Sequence, residues 1–250
     1  MQNRQTKGSG KLVLALLFVY IVLFEFILPV NKYLPKPSLL YESVSHIWQD
    51  YNLVYALSTT VSMVILSLVA GFFSAYINSA NIFKMTEHRK GIFDVLKIFT
   101  YVPMIFVIAM FTFWFNEYFF AEFLFALLAS IVFGYSILIK LTSSIKQEYV
   151  DVAQNLGCTQ TDVYQKIYWK SLLPDFTKEY NQIHIKLWAV VLLVEFVLNM
   201  HGVGHVLRRI LEYRDFTALI NVALMVIILI WLGDYLIYYI RKKFISWDNS

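Results

Sequence analysis

The chain has 250 residues, 59% of them hydrophobic, 18% aromatic and only 15% charged, with a formal net charge of +4 and a mean hydropathy of +0.60. Soluble domains carry about 25% charged residues, so this composition excludes an ordinary soluble protein and places the chain in the membrane class. The one cysteine, Cys158, excludes an intramolecular disulfide and belongs to no metal-binding pattern, and a net charge this small is not a nucleic-acid footprint.

Crossing ~30 Å of hydrocarbon takes about 20 mostly apolar residues per helix. Six stretches meet or approach that length. Leu12–Val30 is interrupted only by Glu25, and Leu53–Ile77 carries no charge. Ile98–Phe115 and the shorter Phe123–Ile139 follow, then Leu187–Met200 with Glu195 inside it, and Phe216–Ile240 with Asp234. The runs are continuous and lack the alternation of a barrel wall. The expected fold is all-α and integral to the membrane: residues 1–11 form one terminus, 12–240 a single domain of six transmembrane helices, and 241–250 the other terminus.

Placing both termini in the cytoplasm puts sixteen Lys and Arg residues on the inner side and five on the outer, as the positive-inside rule requires. Arg4, Lys7 and Lys11 precede the first apolar run as they would in a signal peptide. That run is longer than a signal core and no small-x-small cleavage site follows, so it reads as a retained span. Residues 8–11 read GSGK, but Gln5 stands where a phosphate-binding loop has its first glycine and Leu12 where it has Ser or Thr. The chain is therefore not expected to hydrolyse ATP, to carry catalytic residues or to bind a metal.

The fourth and fifth spans are joined by a long inner segment, about 141–182, and connections of that length carry structure or function. Tyr149, Val152, Ala153 and Leu156 recur at helical spacing. Gly157 stands where a helix ends in left-handed geometry. Thr159, with Asp162 three residues on, offers the cap of a second helix whose apolar side holds Val163 and Ile167. Pro174 is expected to stop that helix, having no N–H to continue it. Helix, glycine bend, helix and proline stop make either a hairpin lying on lipid headgroups or a docking element for a cytoplasmic partner.

DVAQNLG at 151–157, with LLP at 172–174, resembles the EAA loop of ABC importer permeases. Asp151 stands for the motif's Glu, Val152 and Ala153 for its two Ala, and Gly157 for its Gly. Trp169-Lys170 occupies the site of the family's usual Leu-Pro pair, and Leu173-Pro174 matches a second such pair four residues on. Other stretches resemble the nitrate/sulfonate/taurine branch: Phe24-Glu25 near the end of span one, LPKPS at 34–38, VPMIFVIAMFTFWFN at 102–116, and VEFVLNMHGVGHVL at 194–207 with Glu195, Gly202 and Gly204.

The resemblance implies a type I importer permease whose coupling loop, with Asp151, Val152, Ala153, Gly157 and Pro174, docks a separate cytoplasmic ABC ATPase. It implies ATP and Mg bound on that ATPase, a second permease copy in a homodimer, an extracytoplasmic solute-binding protein, and a bacterial inner-membrane location, with no nucleic-acid partner. The solute it implies is small: nitrate, a sulfonate, taurine or a thiamine precursor. The alternative class is a secondary carrier or channel not coupled to ATP.

Charges within spans are costly unless paired or wetted. Glu25 lies near an outer end and Asp234 within a turn or two of Arg241, so either can snorkel or find an ion pair. Glu195 lies deepest in its helix and either lines the solute route or ties helices together; with Gly202 and Gly204 it forms the candidate path set. The spacing of His201 and His205 suits zinc on a regular helix, but the two glycines argue instead for a bend at the outer surface. VLRRILEYRDF at 206–216 has the pattern of an interfacial amphipathic helix, with arginines able to attract an anion. Tyr and Trp near span ends, Trp188 among them, match interfacial belts.

Overall fold

A computed structural model describes residues 12, 15, 16, 18–29, 35–88, 101–114, 118–142, 144, 145, 147–198 and 201–245. The GSGK segment, the cations at 89–97, Asn116 and Trp247 lie outside the described residues.

Among the described residues the chain is helical throughout. An apolar helix α1 (Phe18–Ile27) ends in π geometry over Val22–Ile27. It is followed by α2 (Pro37–Asp50), α3 (Leu53–His88), α4 (Met104–Trp114) and α5 (Tyr118–Thr142). The inner segment supplies α6 (Gln147–Asn155) and a short α7 (Gln160–Asp162), which passes through a π-helical turn, Val163–Tyr168, into α8 (Trp169–Leu198). The amphipathic α9 (Val203–Tyr213) and the apolar α10 (Phe216–Phe244) complete the chain.

Four of the described helices are long and apolar enough to cross a bilayer: Leu53–Thr86, Phe120–Thr142, Lys166–Leu198 and Phe216–Phe244. They contain three of the six expected spans whole, and a fourth, Leu187–Met200, as far as Leu198, where the described residues break off. The other two expected spans contain shorter apolar helices, α1 and α4, each abutting residues outside the described set. The third begins later than its apolar run, because Val102 and Pro103 are not helical and Met104 opens the helix. Proline suits a helix start, where its missing N–H is not needed.

The centre of the bundle is α3 packed along α5, with α8 against both; α10 and α2 flank it, and α9 lies across the end of α8 against α3 and α10. An aromatic ladder seals α3 to α8. Trp169 meets Tyr76 at 5.1 Å between ring centroids, Phe72 meets Tyr180 at 5.5 Å, and Phe72 meets Phe176 at 5.8 Å. Leu66, Val69, Phe73, Ile227, Trp231 and Leu232 are exposed on α3 and α10, apolar surface that lipid covers. At 1.5 Å per residue, the 36 residues of α3 and 30 of α8 run ~54 and ~45 Å, well beyond ~30 Å of hydrocarbon. Both overhang toward α6, and there Phe83 of α3 packs against Tyr168, ring centroids 5.3 Å apart and planes tilted by 59°.

Pro174 does not stop a helix. It lies inside α8, which runs unbroken from Trp169 to Leu198. Proline costs a helix interior about 3 kcal/mol, but Leu172, Phe176 and Tyr180 on either side of it are buried against the bundle, and that burial holds the helix through the break. The Thr177 hydroxyl also donates to the carbonyls of Leu173 and Pro174, both at 2.9 Å. The second helix expected to end at Pro174 thus continues as the fifth span itself. Trp188 is also no belt residue: it is buried, and its indole N–H donates to His184 Nε2 at 3.1 Å.

Candidate functional site

Two groups of residues singled out in the sequence come together, at opposite ends of α8. At its start, α6 ends in a turn in which Gly157 N–H donates to the Gln154 carbonyl (2.9 Å) and Cys158 N–H to the Ala153 carbonyl (3.1 Å). This is the paired bonding of a Schellman cap, which needs a residue at positive φ; Gly157 supplies φ +80°. The chain then restarts at Thr159, whose hydroxyl donates to the Asp162 carboxylate at 2.6 Å while accepting from Asp162 N–H at 3.3 Å. Lys166 closes on Asp162 at 2.6 Å. These contacts, Lys166 first and Thr159 second, hold the Asp162 carboxyl below its ordinary value.

Only part of the apolar face of α6 is buried. Val150 and Ala153 are buried, in one cluster with Val163, Tyr164, Tyr168 and Trp169 and with Ile82 and Phe83 of α3. Tyr149, Val152 and Leu156 point away, 52%, 58% and 79% exposed. With Cys158, Lys166 and Lys170 they border an open groove of about 700 Å³. Asp151 is exposed on the same helix. The result is a short helix packed on one side against the Val163–Tyr168 turn that leads into α8 and bare on the other, with an apolar strip edged by lysines. Pro174, a turn beyond Lys170, stands apart from the groove lining.

At the far end of α8, Glu195 is fully buried. Thr60 of α3 donates its hydroxyl to Glu195 Oε1 at 2.6 Å, and Gly204 N–H donates to Oε2 at 2.7 Å. Thr60 Oγ1 in turn accepts Val203 N–H at 2.9 Å. The carboxylate therefore caps the N-terminus of α9, where free amides and the helix dipole favour a negative group. Gly202 turns the chain at φ +109° beside it, and a side chain at Gly204 would lie 2.3 Å from the Leu192 carbonyl oxygen. All three candidate path residues thus meet in one tie joining α3, α8 and α9.

Glu122 of α5 completes this cluster and was not legible as a site residue. Its carboxyl is buried, with Oε1 lacking a hydrogen-bond partner among the described residues, and it interacts electrostatically with Glu195. The signal was a lone acidic residue in YFFAEFLF, hidden because the expected span began one residue later at Phe123. Thr60, in a charge-free run, gave no signal of its own.

The other flagged residues have separate roles. The Glu25 carboxylate accepts Ser38 N–H at 3.1 Å in the first turn of α2, beside Pro37, so the Phe24-Glu25 and LPKPS stretches meet in one cap. Asp234 accepts from Asn181 of α8, while Arg241 lies over the Tyr238 ring at 5.7 Å. His201 precedes α9 and stands edge-on to Tyr55 at 5.6 Å, whereas His205 is in the helix's first turn. The interfacial helix expected at 206–216 is α9, and it is seated on protein: Val203, Val206 and Ile210 are buried, and Asp215 already caps α10 through Ala218 N–H at 3.0 Å.

A bundle of long apolar helices with polar overhangs, a clamped inner-segment helix and an internal carboxylate tie defines a multi-pass membrane protein of the transporter class. A family model described as the inner membrane component of binding-protein-dependent transport systems matches residues 89–246, and the chain belongs to that family. Its fold is that of an ABC importer permease. A chain of the MetNI methionine ABC transporter, in an inward-facing form, matches with a TM-score of 0.66 at 16% identity, over 80% of this chain and 98% of that one. No curated protein sequence matches this chain.

Proposed function

We propose that this permease subunit forms the path of a small solute through the membrane and receives work from a separate ABC ATPase through residues 148–174. The observation that carries the reading is the two-sided character of α6. Val150 and Ala153 are buried where it packs on the Val163–Tyr168 turn that leads into α8, while Tyr149, Val152 and Leu156 are bare beside Lys166 and Lys170. A rigidly held apolar strip transmits a displacement that a loose loop would absorb, and closure of an ATPase pair against two such strips would rock the spans between inward-open and outward-open states. In this reading a second copy of the chain completes the path, ATP and Mg reside on the ATPase, the bare strip and both termini face the cytoplasm of a bacterial cell, and a solute-binding protein delivers cargo at the α9 end.

The stretches at 24–25, 34–38, 102–116 and 194–207 favour the nitrate/sulfonate/taurine branch. The methionine in the name of the structural relative does not transfer at 16% identity.

The test is a complex reconstituted with its ATPase. Val152→Glu combined with Leu156→Glu, and separately Gly157→Val or Asp151→Lys, should abolish transport-coupled ATP hydrolysis while the permease still inserts and folds. Full coupled hydrolysis in all three would remove the docking reading, and solute uptake without ATP would favour a secondary carrier.

A further inference from the structure

At the end of the bundle opposite α6, the α2–α3 junction and the start of α9 enclose an open pocket of about 360 Å³, lined in part by Tyr51, Tyr55, His201, His205 and Arg209. The walls are held firmly. Asn52 makes the sharp turn between α2 and α3 at φ +47°, and the Tyr51 hydroxyl donates to Asp215 at 3.3 Å. The Arg209 guanidinium lies over the Tyr51 ring, 5.2 Å from its centre, and touches the Asp50 carbonyl at 3.5 Å. Nearby carboxylates are committed elsewhere: Glu212 is bonded by Arg208 at 3.1 Å, and Asp215 holds Tyr51 and the α10 cap.

The guanidinium over the Tyr51 ring and the two histidines line the same small cavity, and guanidinium and imidazole groups carry N–H donors. We propose that this pocket is a binding site for an oxyanion of the phosphate or sulfate class, held by Arg209 with His201 and His205. A guanidinium fork matches two oxygens of such a group, and the tyrosine rings bound the cavity. The oxyanion is either free in solution or carried on a phospholipid headgroup. The inference uses neither the ATPase nor the α6 surface.

Burial first, then Arg209 and His201, hold the His205 imidazole below its ordinary value, with Arg208 adding to this and Glu212 opposing. Asp50 and Asp215 also act on this region, through Tyr51. A bound oxyanion would favour the protonated imidazole, so affinity should rise as pH falls through the histidine range.

Two measurements on the detergent-purified permease test this. Calorimetric titration with sulfate, against chloride at matched ionic strength, reads the free oxyanion; native mass spectrometry with phosphatidylglycerol and phosphatidylcholine reads the headgroup. If the free oxyanion is the ligand, sulfate binds, tightens at lower pH and weakens about tenfold or more in Arg209→Gln, on the scale of a lost hydrogen bond to a charged group. If the headgroup is the ligand, phosphatidylglycerol is retained over phosphatidylcholine and lost in Arg209→Gln, with no sulfate binding. Arg209→Lys, which keeps the cation over Tyr51, separates lost binding from lost folding. Wild type and Arg209→Gln behaving alike in both measurements would overturn the site.

Discussion

Replacing Gly204 with alanine offers a sharp test of the carboxylate tie. The new Cβ would lie 2.3 Å from the Leu192 carbonyl oxygen, 2.6 Å from Glu195 Cβ and 2.7 Å from Phe196 N. Two of these are backbone atoms of α8 that cannot rotate aside, so α9 must lift by about 1 Å to reach ordinary contact. Overpacking of this kind costs roughly 1–3 kcal/mol. The lift also breaks the 2.7 Å bond from Gly204 N–H to Glu195, and a hydrogen bond to a charged group is worth about 1.5–3 kcal/mol. Together these predict ~3–5 kcal/mol of destabilisation. Gly157→Ala is the internal control, because nothing lies within 4 Å of its added Cβ and only φ +80° is unfavourable, a cost of about 1–2 kcal/mol. Thermal unfolding of both variants in the same micelle should show Gly204→Ala melting well below Gly157→Ala. Equal melting, or the reverse order, would refute the account of how α9 is seated.

Glu122→Gln removes a buried carboxyl near Glu195 without emptying its site and should be mild, whereas Glu195→Ala strands Thr60 and the Gly204 amide and should cost at least about 2–3 kcal/mol; unfolding of the two variants in parallel checks the order. Glu25→Ala removes the acceptor for Ser38 N–H and should loosen the first turn of α2 by about 1 kcal/mol, read as faster amide exchange over residues 38–40. The Asp162 carboxyl is held below its ordinary value, so its contribution is present above the ordinary aspartate range and is lost as pH falls through the lowered value. Exchange at the Asp162 amide should therefore stay slow through mildly acidic pH and quicken only below that range; quickening at mildly acidic pH would contradict the pairing with Lys166.

What the sequence disclosed was what short-range physics decides. Gly157 and the Thr159–Asp162 pair act within one turn, so spacing and residue type located the cap and the restart of the chain. The long apolar runs marked helices, though their ends were blurred because α3 and α8 continue past the hydrocarbon as packed overhangs. Pro174 misled because its cost is local while the burial of Leu172, Phe176 and Tyr180 that outweighs it is tertiary. Periodicity likewise identified the apolar stripe of α6 but not which part of it a neighbour covers. Thr60 and Glu122 became site residues only through partners 135 residues away, for Thr60, and on another helix, for Glu122, a relation that no local pattern encodes.

The central claim is that the bare strip of α6 is the seat of the ATPase. Cys158 is the chain's one cysteine, exposed and bordering the same groove as Tyr149, Val152 and Leu156. The rate at which a maleimide modifies it can therefore be read without engineering the permease. Modification should be fast in the isolated permease and strongly slowed in the complex with a cysteine-free ATPase. The same rate in both states would leave the strip facing solvent in the working assembly and would contradict the account.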